Sequence, residues 1–168
     1  MREFPAPSTI SREDLPSLAA SLHTEGQRIV LTNGHFDLLH VGHLRYLQAA
    51  AELGDVLIVA VNDDAMTTER KGAGRPVLPA EERAELLAGL ACVDYVTIFD
   101  EPTANRVVEL VRPDVYVKGG DYGEGGAPLP EASTVEAQGG EVVILPLVPG
   151  RSTSEIIAAI RGGRSLST

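Results

Sequence analysis

The chain is poor in cysteine, in basic residues and in long apolar runs, and each shortage removes a class of answers. Cys92 is its one cysteine in 168 residues, which excludes an intramolecular disulfide framework and suits a reducing compartment. Lys and Arg number 14 against 24 Asp and Glu, a formal net charge of −10. Long nucleic acids usually demand a basic face, so they are disfavoured as partners. Small anionic ligands are not, because a few placed cations and backbone amides suffice to hold them. No apolar run approaches bilayer-spanning length, and "MREFPAPSTISREDLP" has no apolar core of signal-peptide length. The expected location is therefore the cytoplasm, with no membrane partner.

What remains is a globular composition, 43% apolar and 23% charged, with enough interior for a real core. "RIVLTN" (28–33) is a β-branched run ending at an Asn-Gly turn signal and reads as a strand. "GHLRYLQAAAEL" (42–53) spaces Leu44, Leu47 and Ala51 for a helix stopped by Gly54. "DVLIVAV" (55–61) is almost continuously apolar, as in a strand covered on both faces of a parallel sheet. The pattern then predicts a helix over 79–91, a strand over 94–100, a helix over 103–111 and a strand over 114–120. A short helix over 131–138, a strand over 141–147 and a helix over 152–161 follow, the last with Ser152 as a natural N-cap. Residues 8–26 read as an extra helix leading into the first strand. Such alternation predicts one doubly wound, Rossmann-like α/β domain: a five-stranded parallel sheet with helices on both faces.

In such sheets ligands bind where loops leave the carboxyl ends of the strands. The unusual residues fall there. "NGHFDLLHVGH" (33–43) follows the first strand, "NDDAMTTERKGAGRP" (62–76) the second, "FDEPT" the third, "KGGDY" the fourth and "VPGRSTS" (148–154) the fifth. His40 and His43, three residues apart, share a face at a helix start, where free N–H groups and the helix dipole favour an anion. Gly34 and Gly42 let phosphate oxygens come close to the backbone. The stretch has neither G-x-G-x-x-G nor GK[ST], so the dinucleotide and P-loop modes are disfavoured. Zinc normally needs three protein ligands, and no nearby Cys or carboxylate pattern matches a known spacing. Two imidazoles plus amides make a cradle that can follow charge growing on a phosphoryl group.

"GHFDLLHVGH" (34–43) resembles the G-x-F-D-x-x-H-x-G-H signature of the cytidylyltransferase-like nucleotidyltransferases. "VAVNDDA", "KGAGRPVLPAEERAELL", "RPDVYVKGGDY" and "GGEVVILPLVPGRSTSEII" are similar to one branch, the heptose 1-phosphate adenylyltransferases, and the likeness runs from about Ile10 to Arg161. It implies transfer of an adenylyl group from ATP to a heptose 1-phosphate, releasing pyrophosphate and forming an ADP-sugar, a lipopolysaccharide precursor. The rival within the class is cytidylyl transfer to glycerol 3-phosphate or another polyol phosphate. Cytidylyltransferases acting on glycerol phosphate carry an acidic residue near the position of Gly120, a departure that points to the heptose branch. The branch occurs alone or joined to a heptose kinase, and the stand-alone form is expected. Residues 1–27 would be a helical lead-in, 28–162 the nucleotidyltransferase domain and 163–168 a flexible tail. The expected partners are ATP and a sugar 1-phosphate, with a homodimer left open. Mg2+ is expected on the nucleotide phosphates, with no dedicated protein cage.

By this resemblance His40, His43 and Lys71 would be catalytic, the lysine swinging onto phosphate charge from a glycine-flanked loop. Asn33, Gly34, Phe36, Asp37, Gly42, Lys118, Gly119, Asp121, Ser152, Thr153 and Ser154 would bind the nucleotide. Asp37 either orients its loop by accepting backbone N–H bonds, the preferred role, or contacts ligand or metal, and Phe36 also serves packing. Ser152 can cap its helix and still face the β- and γ-phosphates. Asp63, Arg75, Arg83, Tyr122 and Arg151 are candidates for substrate binding; Arg75 can instead tie down its loop, and Arg83 can instead form a solvated ion pair on its helix. His35 falls where relatives often carry another residue and is given no catalytic role.

Overall fold

The structure, a computed structural model, describes residues 8–120, 122 and 128–165. Five strands form one sheet: β1 (Ile29–Gly34), β2 (Val56–Asn62), β3 (Tyr95–Phe99), β4 (Val115–Gly119) and β5 (Glu141–Leu145). All pairings are parallel, in the order β3-β2-β1-β4-β5. The helices are α1 (Leu15–Thr24), α2 (Val41–Ala51), α3 (Asp64–Lys71), α4 (Ala80–Ala88), α5 (Asn105–Val111), α6 (Ala132–Ala137) and α7 (Thr153–Arg161).

The continuous apolar runs of β1, β2 and β4 split by period two onto two cores, because successive side chains of a strand point to opposite faces. Ile29, Leu31, Val56, Ile58, Ala60 and Tyr116 join α1, α5 and α6 on one side. Val30, Leu57, Val59, Val61, Val115 and Val117 join α2 and α4 on the other. This is the two-faced sheet that the apolar runs predict. No helix among the described residues is long and apolar enough to cross a membrane.

Two local departures matter. Residues 64–71, expected as loop, form α3: Asp63 caps it by accepting from the Met66 N–H at 2.8 Å, and of its own residues only Thr67 is buried. So polar a helix leaves no apolar period to read. The N-terminal segment is helical only from Leu15, while Ser8 and Ile10 exchange backbone bonds with Val96 of β3 at 2.9 and 2.8 Å. Leu15, Ala19 and Leu22 are buried in the same core as α5, so α1 is part of the packed body.

Candidate active site

Because β2 and β3 lie on one side of β1 and β4 and β5 on the other, the chain leaves the carboxyl ends of β1 and β4 in opposite directions. A crevice opens between them, the place where doubly wound sheets bind ligands. It is a cavity of about 740 Å³. Loops after β1, β2, β4 and β5 line it with Asn33, Gly34, Phe36, Asp37, His40, Gly42, His43, Lys71, Arg75, Lys118, Gly119, Tyr122, Arg151, Ser152, Thr153 and Ser154. The loop after β3 reaches only a side recess, through Pro102 and Thr103.

The floor is the first stretch after β1. His40 is extended at φ −143° and caps α2, its ring nitrogen Nδ1 accepting from the His43 N–H at 3.3 Å. The two imidazoles stack with centroids 3.8 Å apart. A Cβ on Gly42 would lie 2.9 Å from the His40 ring, so glycine is what lets the ring fold back over the helix start. Phe36 adopts φ 47°, a conformation L side chains seldom take. Its buried ring packs edge-to-face with that of His43, centroids 5.3 Å apart, and a Cβ on Gly34 would press on it at 3.0 Å. Burial, then the charge of His40, pushes His43 down to about 4, a backbone bond at Leu38 opposing. Burial also lowers His40, with Glu155 opposing and Arg151 adding to the fall. Near neutral pH the pair is uncharged, and the His40 tautomer is fixed: an Nδ1 that accepts leaves the proton on Nε2, free to donate.

Asp37, 2% exposed, holds the segment after α3. Its carboxylate accepts from the Val77 N–H at 2.6 Å, from the Leu78 N–H at 3.3 Å and from Arg75 Nε. Burial alone would raise its pKa, but these three donors outweigh it and hold the group below its usual value. The observed contacts are those of a loop-orienting residue, and Arg75 is bound to it. Lys71 is the last residue of α3 rather than a loop residue, with Gly72 following at φ +90°. Its side chain borders both the main cavity and an adjoining one of about 400 Å³ that Arg75, Ser154 and Arg161 also line.

At the end of β4, Lys118 is 7% exposed. Its Nζ donates to Asn33 Oδ1 at 3.1 Å and sits 4.4 Å from the centre of the Tyr122 ring. Asn33 Oδ1 also accepts from the Tyr116 hydroxyl at 2.5 Å. On the far wall Ser152 caps α7, accepting from the Glu155 N–H at 3.2 Å, and Thr153 Oγ1 donates to the Leu38 carbonyl at 3.2 Å. Despite the acidic chain, the cavity gathers Lys71, Arg75, Lys118 and Arg151 against Asp37 and Glu155. Among the described residues no three His, Cys, Asp or Glu side chains converge as a metal cluster.

Two candidates lie elsewhere. Asp63 is the α3 cap. Arg83, expected on a helix surface or at phosphate, is 0% exposed. It donates to the carbonyls of Leu78 at 3.0 Å, His35 at 2.5 Å and Asn62 at 2.9 Å, and to Asp64 Oδ1 at 2.7 Å. It fastens α4 to the ends of β1 and β2 from beneath. Asp121, and with it part of the Gly/Pro-rich stretch after Tyr122, lies outside the described residues. His35, expected to have no catalytic role, also lines the cavity, as do Tyr46, Glu155 and the apolar Leu147, Val148 and Pro149, which were not expected there. Of these only His35 carried a signal, a third histidine in one short motif.

Comparison with known proteins agrees with this geometry. The cytidylyltransferase-like family model matches residues 31–158. The bifunctional protein HldE of Streptomyces coelicolor is 49% identical over 153 residues, 90% of this chain and 33% of the relative. The protein of the same name from Citrifermentans bemidjiense is 51% identical over 138 residues, 82% of this chain and 28% of its own length. The chain thus spans about a third of these curated relatives. A crystal structure of the lipopolysaccharide core biosynthesis protein from Thermoplasma volcanium superposes with a TM-score of 0.59 at 30% identity, covering 73% of this chain and 98% of that one. The stacked histidines, the capped helix starts and these matches agree, and the chain belongs to the cytidylyltransferase-like family.

Proposed function

We propose that the site transfers an adenylyl group from ATP to a heptose 1-phosphate. The observation that carries the reading is the neutral, stacked His40–His43 pair at the start of α2, in one cavity with the hydroxyl-bearing start of α7 and with Lys71 and Lys118. The likeness to the heptose branch supplies base and acceptor.

In this reaction an oxygen of the sugar phosphate attacks the α-phosphorus in line. The new O–P bond forms as the bond from the α-phosphorus to the bridging oxygen breaks, and pyrophosphate leaves with that electron pair. The protein has no covalent step to perform; it positions and neutralises. His40 Nε2–H, with its tautomer set by the α2 backbone, donates to oxygens gaining charge around the α-phosphorus, and His43 beside it does the same. The N-terminus of α7, with Ser152, Thr153 and Ser154, suits the departing β- and γ-phosphates. Lys71, at the mouth shared by the two cavities, brings its ammonium to the attacking phosphate. Magnesium would accompany the triphosphate, held by phosphate oxygens and water, and would supply charge neutralisation there. Among the described residues no cluster of protein ligands stands ready to hold it. Arg83, fully buried with four of its five N–H donors on protein acceptors, stands apart from the phosphates.

Pyrophosphate release measured across nucleoside triphosphates and phosphorylated sugars tests this directly. ATP with D-glycero-β-D-manno-heptose 1-phosphate should give the highest kcat/KM. A higher value for CTP with glycerol 3-phosphate would move the protein to the cytidylyl reading.

A further inference from the structure

His35 has no part in the mechanism above, yet its ring borders both the main cavity and a recess of about 100 Å³ lined by Asn62, Arg70, Thr103, Lys118 and Tyr122. What it can offer a ligand depends on which nitrogen holds the proton, and α3 decides that. The buried Thr67 has one hydroxyl proton and donates it to the Asp63 carbonyl at 2.7 Å, a group that can only accept. His35 Nδ1 lies 2.9 Å from the same Oγ1, so it must donate into the remaining lone pair. A neutral imidazole has one N–H, and Nε2 is therefore a bare acceptor. The ring is neutral: burial, then the charges of Lys71, Arg83, Arg70 and Lys118, push its pKa down to about 4. Nε2 has no hydrogen-bond partner among the described residues, and it is not one of the buried polar atoms left without one. It keeps solvent access, on a residue that lines the cavity.

His40 is the opposite case, with Nδ1 accepting and Nε2 donating. Around them, Asn33 Oδ1 is taken by Tyr116 and Lys118, and Asp37 by Arg75 and two amides. In a cavity furnished with donors, His35 Nε2 is an acceptor waiting for one. Phosphate oxygens, acceptors themselves, cannot supply the proton. A hydroxyl can.

We infer that His35 is a specificity-determining residue whose Nε2 accepts a hydrogen bond from a hydroxyl of a reactant, on the acceptor sugar or on the nucleotide ribose. The identity of those reactants rests on the adenylyl-transfer reading; the tautomer does not.

Nitrogen-15 NMR of the ligand-free protein at neutral pH tests the premise. It should show the His35 proton on Nδ1 and a pyridine-type Nε2, and a proton on Nε2 would overturn the inference whatever the activity. The role is tested in the pyrophosphate assay with His35→Gln, whose amide oxygen reaches the Nε2 position, and His35→Asn, which reaches only the Nδ1 side. Monodeoxy sugar phosphates and 2′- and 3′-deoxy-ATP are the probes. The wild type should lose about tenfold in kcat/KM on one deoxy compound. His35→Asn should show that loss on the parent substrates and none further on the same compound, and His35→Gln should restore the discrimination. Which compound responds tells sugar from ribose. Equal rates on all deoxy compounds, or rescue by Asn and not by Gln, would make the ring a strut for Thr67 and overturn the inference. If the wild type turns over no pair, adenylyl transfer fails instead. The Nε2 resonance is then titrated with ATP and with the sugar phosphate separately; movement with one supports the hydroxyl contact, and none with either overturns it.

Discussion

The two walls of the cavity are built to different standards. The wall made by residues 33–43 is clamped at its centre: Asp37 is 2% exposed, Phe36 is buried against His43, and the His35 carbonyl is held from below by a fully buried Arg83. The wall made by residues 147–161 is loose. Leu147 is 57% exposed, Ile160 is 72% exposed, and α7 has no buried residue. Donors that must meet charge only at the transition state gain most from preorganisation. Groups that grip a flexible triphosphate can settle on binding. From this difference in packing we propose that the first wall serves rate and the second affinity.

Arg83 offers the harshest way to break the comparison. Arg83→Met strands the carbonyls of His35, Asn62 and Leu78 and leaves Asp64 without its partner. Chemical denaturation should show a loss of about 3 kcal/mol or more. A change below about 1 kcal/mol would mean the first wall owes its rigidity to something else. Lys71 separates chemistry from stability. Lys71→Ala should lower kcat/KM by about tenfold to a hundredfold with the Tm almost unmoved, and Lys71→Arg should not restore it. Full activity in the alanine variant would remove Lys71 from the site.

Acid gives a smaller effect with a definite sign. His35 and His43 titrate at about 4 when folded, below the ordinary 6.5. Between those values the unfolded chain binds more protons, so stability is complete above about 6.5 and falls as pH drops towards 4. The depressed Asp37 extends the loss to lower pH. Thermal melts should fall less steeply over that window in His43→Gln than in the wild type; equal slopes would show that His43 is not held neutral. At the bottom of the scale, Ile160→Ser on the loose wall should shift stability by no more than about 0.5 kcal/mol. A larger loss would show that α7 is better anchored than its exposure implies.

The same contrast governs what the sequence discloses. β2 is legible because "VLIVAVN" is buried at every position, and a two-faced strand must be apolar throughout. The Ser152 cap is legible because capping is local chemistry, as is the turn-and-helix start that carries His40 and His43. Arg83 is not: inside "AEERAELLA" it looks like one more surface charge, and only folding brings three unrelated carbonyls around it. α3 escapes because its buried side is one threonine. The direction of the His35 proton depends on a hydroxyl 32 residues away, which no spacing in the motif foretells.

The division of labour stands or falls on steady-state kinetics of His43→Ala and Ser154→Ala, assayed side by side with ATP and D-glycero-β-D-manno-heptose 1-phosphate. His43→Ala should lower kcat by about a hundredfold or more with the KM for ATP little changed. Ser154→Ala, on the loose wall, should raise that KM severalfold and spare kcat. A His43→Ala enzyme that keeps its kcat and loses only affinity would contradict the account.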